Sequence, residues 1–187
     1  MDNMKEYLVV GGVALVVGGL LGWAGHGLTG YSMTTETVTA TQDWRTACPA
    51  ATIKDQNCEI VQDILDGQTH NEIARVAIAH DNGKPVLGFT MPLGVALEPG
   101  MGLVFGTDPE KAVPFRTCTS QGCVAEIPLD AKIQASLDAG KDGRMLVSGL
   151  DNKRVALPLS LKGFSEAQRV YRSNEAKRGS WFWRMWQ

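Results

Sequence analysis

"IARVAIAHDNGKPVLGFTM", residues 73–91, alternates in period two: Ala74, Val76, Ile78 and His80 on one face, Ile73, Arg75, Ala77 and Ala79 on the other. That is the periodicity of a strand, whose successive side chains point to opposite sides. At the midpoint stands Asn82-Gly83, a pair that accepts the positive φ angles of a two-residue turn. The stretch therefore predicts a β-hairpin over 73–91.

Working outward, short apolar segments recur about every 8–12 residues, a spacing that belongs to sandwiches and barrels. They are "CEIVQDI" from Cys58, "GVALE" from Gly94, "GLVFG" from Gly102, "VPFRTC" from Val113, "CVAEIPL" from Cys123, "RMLVSGL" from Arg144 and "RVALPLSL" from Arg154. Two short helices interrupt them. "LDAKIQASLDAGK" offers Asp130 as N-cap, Ile133 and Leu137 on one face and Gly140 as stop. "FSEAQRVYR" offers a capping box from Ser165 to Gln168, with Ala167, Val170 and Tyr171 facing inward. Beyond Tyr171 the apolar periodicity fades, so the folded unit is expected to close at about residue 172. The expected class is mainly β: a single β-sandwich-like domain with two short helices, over 43–172.

In front of this domain, residues 7–28 read "YLVVGGVALVVGGLLGWAGHGL", without an Asp, Glu, Lys or Arg. As a helix rising about 1.5 Å per residue they span a hydrocarbon layer of about 30 Å. No cleavage site of the A-x-A kind follows, so the segment reads as an uncleaved transmembrane anchor. Gly11, Gly18 and Gly25 recur every seven residues, and Ala14, Gly18 and Gly22 every four. Small residues at those spacings make a flat face on which another transmembrane helix, or an integral membrane complex, can pack. Lys5 and the amino terminus set residues 1–6 in the cytoplasm by the positive-inside rule. The main domain is then periplasmic, on a single-pass protein of a bacterial inner membrane. Residues 29–42, rich in Thr, read as a linker.

The four cysteines fit an exported domain. Cys48 and Cys58, and Cys118 and Cys123, stand at spacings that suit two local disulfides and lack the neighbouring histidines of a zinc site. Chemistry for catalysis is missing from the sequence: no H-E-x-x-H, no G-x-S-x-G and no phosphate loop in its strand-to-helix context. His70 and His80 read as surface residues flanking the hairpin. The chain is expected to be no enzyme and to need no cofactor or metal.

Residues 173–187 form a basic, aromatic tail that ends "RGSWFWRMWQ", with Trp181, Phe182, Trp183, Arg184 and Trp186 close together. Residues 169–187 carry +4 against −6 for the rest of the chain. Export makes nucleic acid no partner for this charge. Anionic lipid headgroups or a protein surface are the expected ones, since Trp and Arg serve both as interfacial anchors and as interface hot spots.

The order of elements resembles the invasion-associated locus B family of bacterial envelope proteins. The resemblance rests on "DWRTAC" leading to Cys48, its partner Cys58, "MPLGVALEPG" at 91–100, "PFRTCTSQGCVAEIPL" at 114–129 and "LSLKGFSEA" at 159–167. The pattern Phe115-x-x-Cys118-x-x-x-Gly122-Cys123 is its most specific piece. It implies an exported β-rich domain with two disulfides, found in Gram-negative cell envelopes, with no known enzymatic chemistry and a family name taken from host-cell invasion. Typical members look like cleaved secretory proteins. This chain departs from them in its retained membrane segment and its aromatic tail. The residues and the resemblance together suggest a non-catalytic interaction module, an accessory subunit of a membrane complex. A surface factor for host contact is the alternative.

Overall fold

The computed structural model describes residues 36–50, 53, 55–140 and 142–179. The expected membrane segment 7–28, with Gly11, Ala14, Gly18, Gly22 and Gly25, lies outside the described residues, as do Trp181, Phe182, Trp183, Arg184 and Trp186. Among the described residues no helix is long and apolar enough to cross a membrane.

The hairpin at the centre forms as its periodicity demands. Strand β4 (Glu72–Asp81) buries Ala74, Val76 and Ile78 and leaves Ile73, Arg75, Ala77 and Ala79 half-buried. It pairs with β5 (Lys84–Met91) from Asp81↔Lys84 onward. Asn82 (φ 49°) and Gly83 (φ 77°) make the turn with two positive φ angles, which matches the right-handed twist of the flanking strands.

On this hairpin a seven-stranded antiparallel sheet is built with β1 (Thr37–Thr41), β2 (Trp44–Cys48), β3 (Glu59–Leu65), β8 (Phe115–Thr119) and β9 (Gly122–Pro128), in the order β1-β2-β3-β4-β5-β9-β8. A second antiparallel sheet has the order β11-β10-β6-β7, from β6 (Met101–Phe105), β7 (Lys111–Val113), β10 (Gly143–Ser148) and β11 (Arg154–Leu159). The core holds Ile60, Val76, Leu87, Phe89 and Met91 from the first sheet and Met101, Leu103, Met145 and Leu159 from the second. Helix α1 (Ala131–Asp138) sends Ile133 and Leu137 into the same core, and the Asp130 carboxylate caps it by accepting from the Ile133 amide at 2.8 Å. That bond is the chief reason the Asp130 carboxyl is held below its ordinary range.

Helix α2 (Phe164–Gly179) lies against β1, β2 and β3. Its entry is fixed by Trp44, buried to 1% exposure. The Trp44 indole donates to the Ser160 carbonyl at 2.9 Å, and its ring meets Phe164 edge-on at 5.1 Å. The Gln62 amide grips the same residue from β3, donating to Ser160 O at 2.9 Å and accepting from Ser160 N at 3.1 Å. Further along, the Thr46 hydroxyl donates to Ala167 O at 2.9 Å.

Five expectations are corrected here. Residues 37–41, read as the end of a linker at 29–42, form β1: their β-branched Thr and Val pair with β2 as an edge strand that has little apolar face to show. The folded unit runs past residue 172, because α2 continues to Gly179 and so takes in the first part of the segment 173–187 read as tail. "GVALE" is no strand; Val95 makes one isolated bridge to Gly149, and the positive φ angles of Gly94 (94°) and Gly100 (66°) bound the segment. "VPFRTC" is split between the two sheets at Pro114, which has no amide hydrogen to continue a ladder. Ser165 is no N-cap: α2 begins at Phe164, and the Ala167 amide bonds to Gly163 O at 2.9 Å.

Gly163 is the tight point of this entry, with φ at 80° and an added Cβ only 2.0 Å from Thr41 O. Gly163→Ala is expected to destabilise by at least about 1–3 kcal/mol from the backbone conformation alone, before any displacement of the β1–β2 turn. Urea denaturation checks it. An unchanged midpoint would show that α2 can enter without that close approach.

Candidate interaction site

One pole of the molecule collects most of the unusual chemistry. Cys48 at the end of β2 is bonded to Cys58 just before β3, and Thr37, the first residue of β1, pairs with Cys48. The last turns of α2 close over this bridge with polar side chains. The Asn174 amide donates to Cys48 Sγ at 3.5 Å, and the Glu175 carboxylate accepts from the Cys58 amide at 2.7 Å. The Arg178 guanidinium, 13% exposed, donates to the carbonyls of Pro49, Ile53 (3.0 Å) and Gln56 (2.8 Å). A planar fork of donors suits such a carbonyl cage, and a bridge between two backbone segments is thereby locked to a helix.

Beside the bridge lies a cleft of about 510 Å³, lined by Glu36, Ala47, Pro49, Ile53, Asp55, Gln56, Asn57, Glu59, Ala79 and His80 among others. Its lining mixes small and apolar residues with polar ones, among them the carboxylates of Glu36, Asp55 and Glu59. Ile53 is 39% exposed there. Among the described residues that line it there is no Lys or Arg.

A second cavity of about 310 Å³ lies between the sheet and both helices, over Ile60, Ile78 and Leu129. His80 reaches both cavities and lies near-parallel to Tyr171, with Tyr171 Oη 3.4 Å from His80 Nδ1. Burial, with the Glu175 charge adding to it, pushes the Tyr171 phenol up from its ordinary value. His80 is thus a half-buried partner of α2 rather than a free surface residue, whereas His70 is exposed in the turn before β4.

At the other end of the sheet, Cys118 and Cys123 are bonded across the β8–β9 hairpin, where they are direct register partners. Gly122 closes the turn at φ 136°, with no room for a Cβ beside Met91 O (2.5 Å). Asp63 on the first sheet takes a two-pronged bond from Arg45 (2.8 Å) and another from Arg75 (2.9 Å), tying β2, β3 and β4 together. Among the described residues no group of three or more His, Cys, Asp or Glu is arranged to hold a metal ion.

Sequence reasoning gave the four cysteines, but it missed Asn174, Glu175 and Arg178 and the three cleft carboxylates. The readable signal was the i, i+3 spacing of Glu175 and Arg178, whose side chains lie 3.9 Å apart.

The comparisons with known proteins agree with this framework. The model of the invasion associated locus B protein family matches residues 44–170. The chain belongs to that family. Among its relatives are the invasion protein B homologs of Brucella abortus strain 2308 and of Brucella abortus biovar 1 strain 9-941. Each is 32% identical over 129 residues, covering 67% of this chain and 73% of the relative. The crystal structure of invasion associated protein b from Bartonella henselae superposes with a TM-score of 0.64 at 19% identity, covering 75% of this chain and 99% of that one. At that identity the likeness speaks for the fold: two antiparallel sheets with two helices. The stretches that carry the resemblance have structural uses in this member of the family. Trp44 of "DWRTAC" is core, and "PFRTCTSQGCVAEIPL" is the disulfide-bonded β8–β9 hairpin.

Proposed function

We propose that this member of the invasion-associated locus B family is a non-catalytic, membrane-anchored interaction module. Its domain would act on the periplasmic side of a bacterial inner membrane, as an accessory subunit of an integral membrane complex. One observation carries the reading: both ends of the described domain leave it at the same pole. Glu36 lines the cleft beside the Cys48–Cys58 bridge, and Arg178, one residue before the end of α2, is bonded to that cleft's own carbonyls. The apolar segment 7–28 and the basic aromatic segment 180–187 are thereby attached to one side of the domain. In this reading Gly11, Ala14, Gly18, Gly22 and Gly25 pack the anchor against a partner helix. Trp181, Phe182, Trp183, Arg184 and Trp186 engage the partner or lipid headgroups.

The relatives' printed names support a second reading, an envelope factor for host contact. Purification from gently solubilised membranes separates the two. A subunit is expected to bring a fixed stoichiometry of integral membrane companions, identified by mass spectrometry, and to resist extraction by high salt. A lone protein released without detergent would overturn both the anchor and the subunit role.

A further inference from the structure

We infer that the cavity between the first sheet and the two helices is a binding site for a small organic anion, a carboxylate carried on an aromatic or branched apolar body. The sheet makes its apolar side. Ile60 on β3 and Ile78 on β4 are register partners, and two residues further along β4 His80 pairs with Pro85 at the start of β5. Leu129, whose amide donates to the Pro85 carbonyl at 3.0 Å, completes that side just before α1 begins. Helix α2 supplies a polar wall, because Gln168, Tyr171 and Arg172 stand at i, i+3 and i+4 and so share one face.

Charge selects the ligand. The Asp130 carboxylate at the cavity is already committed, since it accepts from the Ile133 amide at 2.8 Å and lies 3.7 Å from the Lys111 ammonium. On α2, Arg169 is paired with Glu166 at 3.0 Å and Arg178 lies 3.9 Å from Glu175. Arg172 is the exception: it has no ion pair or hydrogen bond among the described residues, and neither has Gln168. A planar fork of donors at the edge of an apolar cavity matches a carboxylate, with two parallel charge-assisted bonds. A ligand cation would find no uncommitted carboxylate in the same lining.

Size narrows the body. The cavity measures about 310 Å³, at the lower end of the range of about 300–1,000 Å³ for ligand sites. An apolar cavity of about 150 Å³ takes one benzene ring, so this one suits a ring with a short acid arm. His80 and Tyr171, near-parallel with ring centroids 6.3 Å apart, add aromatic surface beside Ile60, Ile78 and Leu129. The site gives the domain a soluble ligand in addition to any protein partner, and it stands independently of membrane anchoring.

The test uses the full chain in mild detergent at low ionic strength, with Ile and Leu methyl groups labelled for nuclear magnetic resonance and 3-phenylpropionate as the probe. Saturable shifts are expected, with a dissociation constant of about 1 mM or below, and nuclear Overhauser contacts from the phenyl ring to the methyls of Ile60, Ile78 and Leu129. Arg172 is exposed, so its contribution is moderate: 3-phenylpropanol, the same body without the charge, is expected to bind at least about three-fold more weakly, and 3-phenylpropylamine more weakly still. Arg172→Gln should weaken the acid by at least about three-fold and leave the alcohol unchanged, which separates loss of the cation from loss of the fold. No saturable shift up to about 10 mM, contacts only to detergent or to other methyls, or equal or tighter binding of the alcohol or the amine overturns the site. An Arg172→Gln chain that binds the acid as the parent does overturns it too.

Discussion

Replacing Trp44 with alanine is expected to cost about 3–5 kcal/mol, in the range of buried Trp and Phe truncations. That is a large part of the roughly 5–15 kcal/mol that holds an ordinary domain together. Packing supplies most of the loss. The ring is 1% exposed and sits edge-on to Phe164, so its removal opens a cavity where β2, the Ser160 turn and the start of α2 meet. The hydrogen bond matters less, because the Ser160 carbonyl keeps its second donor from Gln62 after the indole is gone. Trp44→Phe, which retains one ring but loses the indole donor and part of the buried ring volume, should cost less, about 1–3 kcal/mol. Urea denaturation of the full chain in detergent, followed by far-ultraviolet circular dichroism with disulfides intact, gives both values. Equal losses for the two variants would show that the indole donor, not the packing, fixes α2.

What the sequence makes legible follows from which face each element buries. Strand β4 has one face in the core, so its period of two is written in Ala74, Val76 and Ile78, and the turn is written in Asn82-Gly83. Helix α1 declares itself through the Asp130 cap and the Ile133–Leu137 pair. Strand β1 is silent because it is an edge: Val38 is 54% exposed, and pairing with β2 rather than burial holds it in place. The second half of α2 is silent for a different reason. Asn174, Glu175 and Arg178 dock onto Cys48, Cys58 and loop carbonyls through polar bonds, so hydrophobic periodicity has nothing to report. The candidate site is built by this polar docking, and so the cysteines were readable while the side chains that lock them, and the cleft beside them, were not. "MPLGVALEPG" shows the converse: Leu93 (60% exposed) and Leu97 (52%) look like strand interior and belong to a surface loop.

The docking of α2 leads to the second large effect, a contrast between two truncations. A chain ending at Gly179 keeps the bonds described between α2 and the disulfide loop and is expected to be about as stable as the full chain. Ending the chain at Arg172 instead removes the acceptor of the Cys58 amide, the donor to Cys48 Sγ and the guanidinium that gathers Pro49, Ile53 and Gln56. Hydrogen bonds to charged groups contribute about 1.5–3 kcal/mol each, and members of one network do not add, so the expected loss is about 3–5 kcal/mol. It should be local as well as global. With its cover gone, the Cys48–Cys58 bridge is expected to be reduced by dithiothreitol at least ten-fold faster, while Cys118–Cys123, at the opposite end of the sheet, keeps its rate. Peptide mapping after timed alkylation reads the two bridges separately. Equal stability and equal reduction of Cys48–Cys58 in the two truncated chains would mean that the domain closes near residue 172 after all, and that the last turns of α2 only rest upon it.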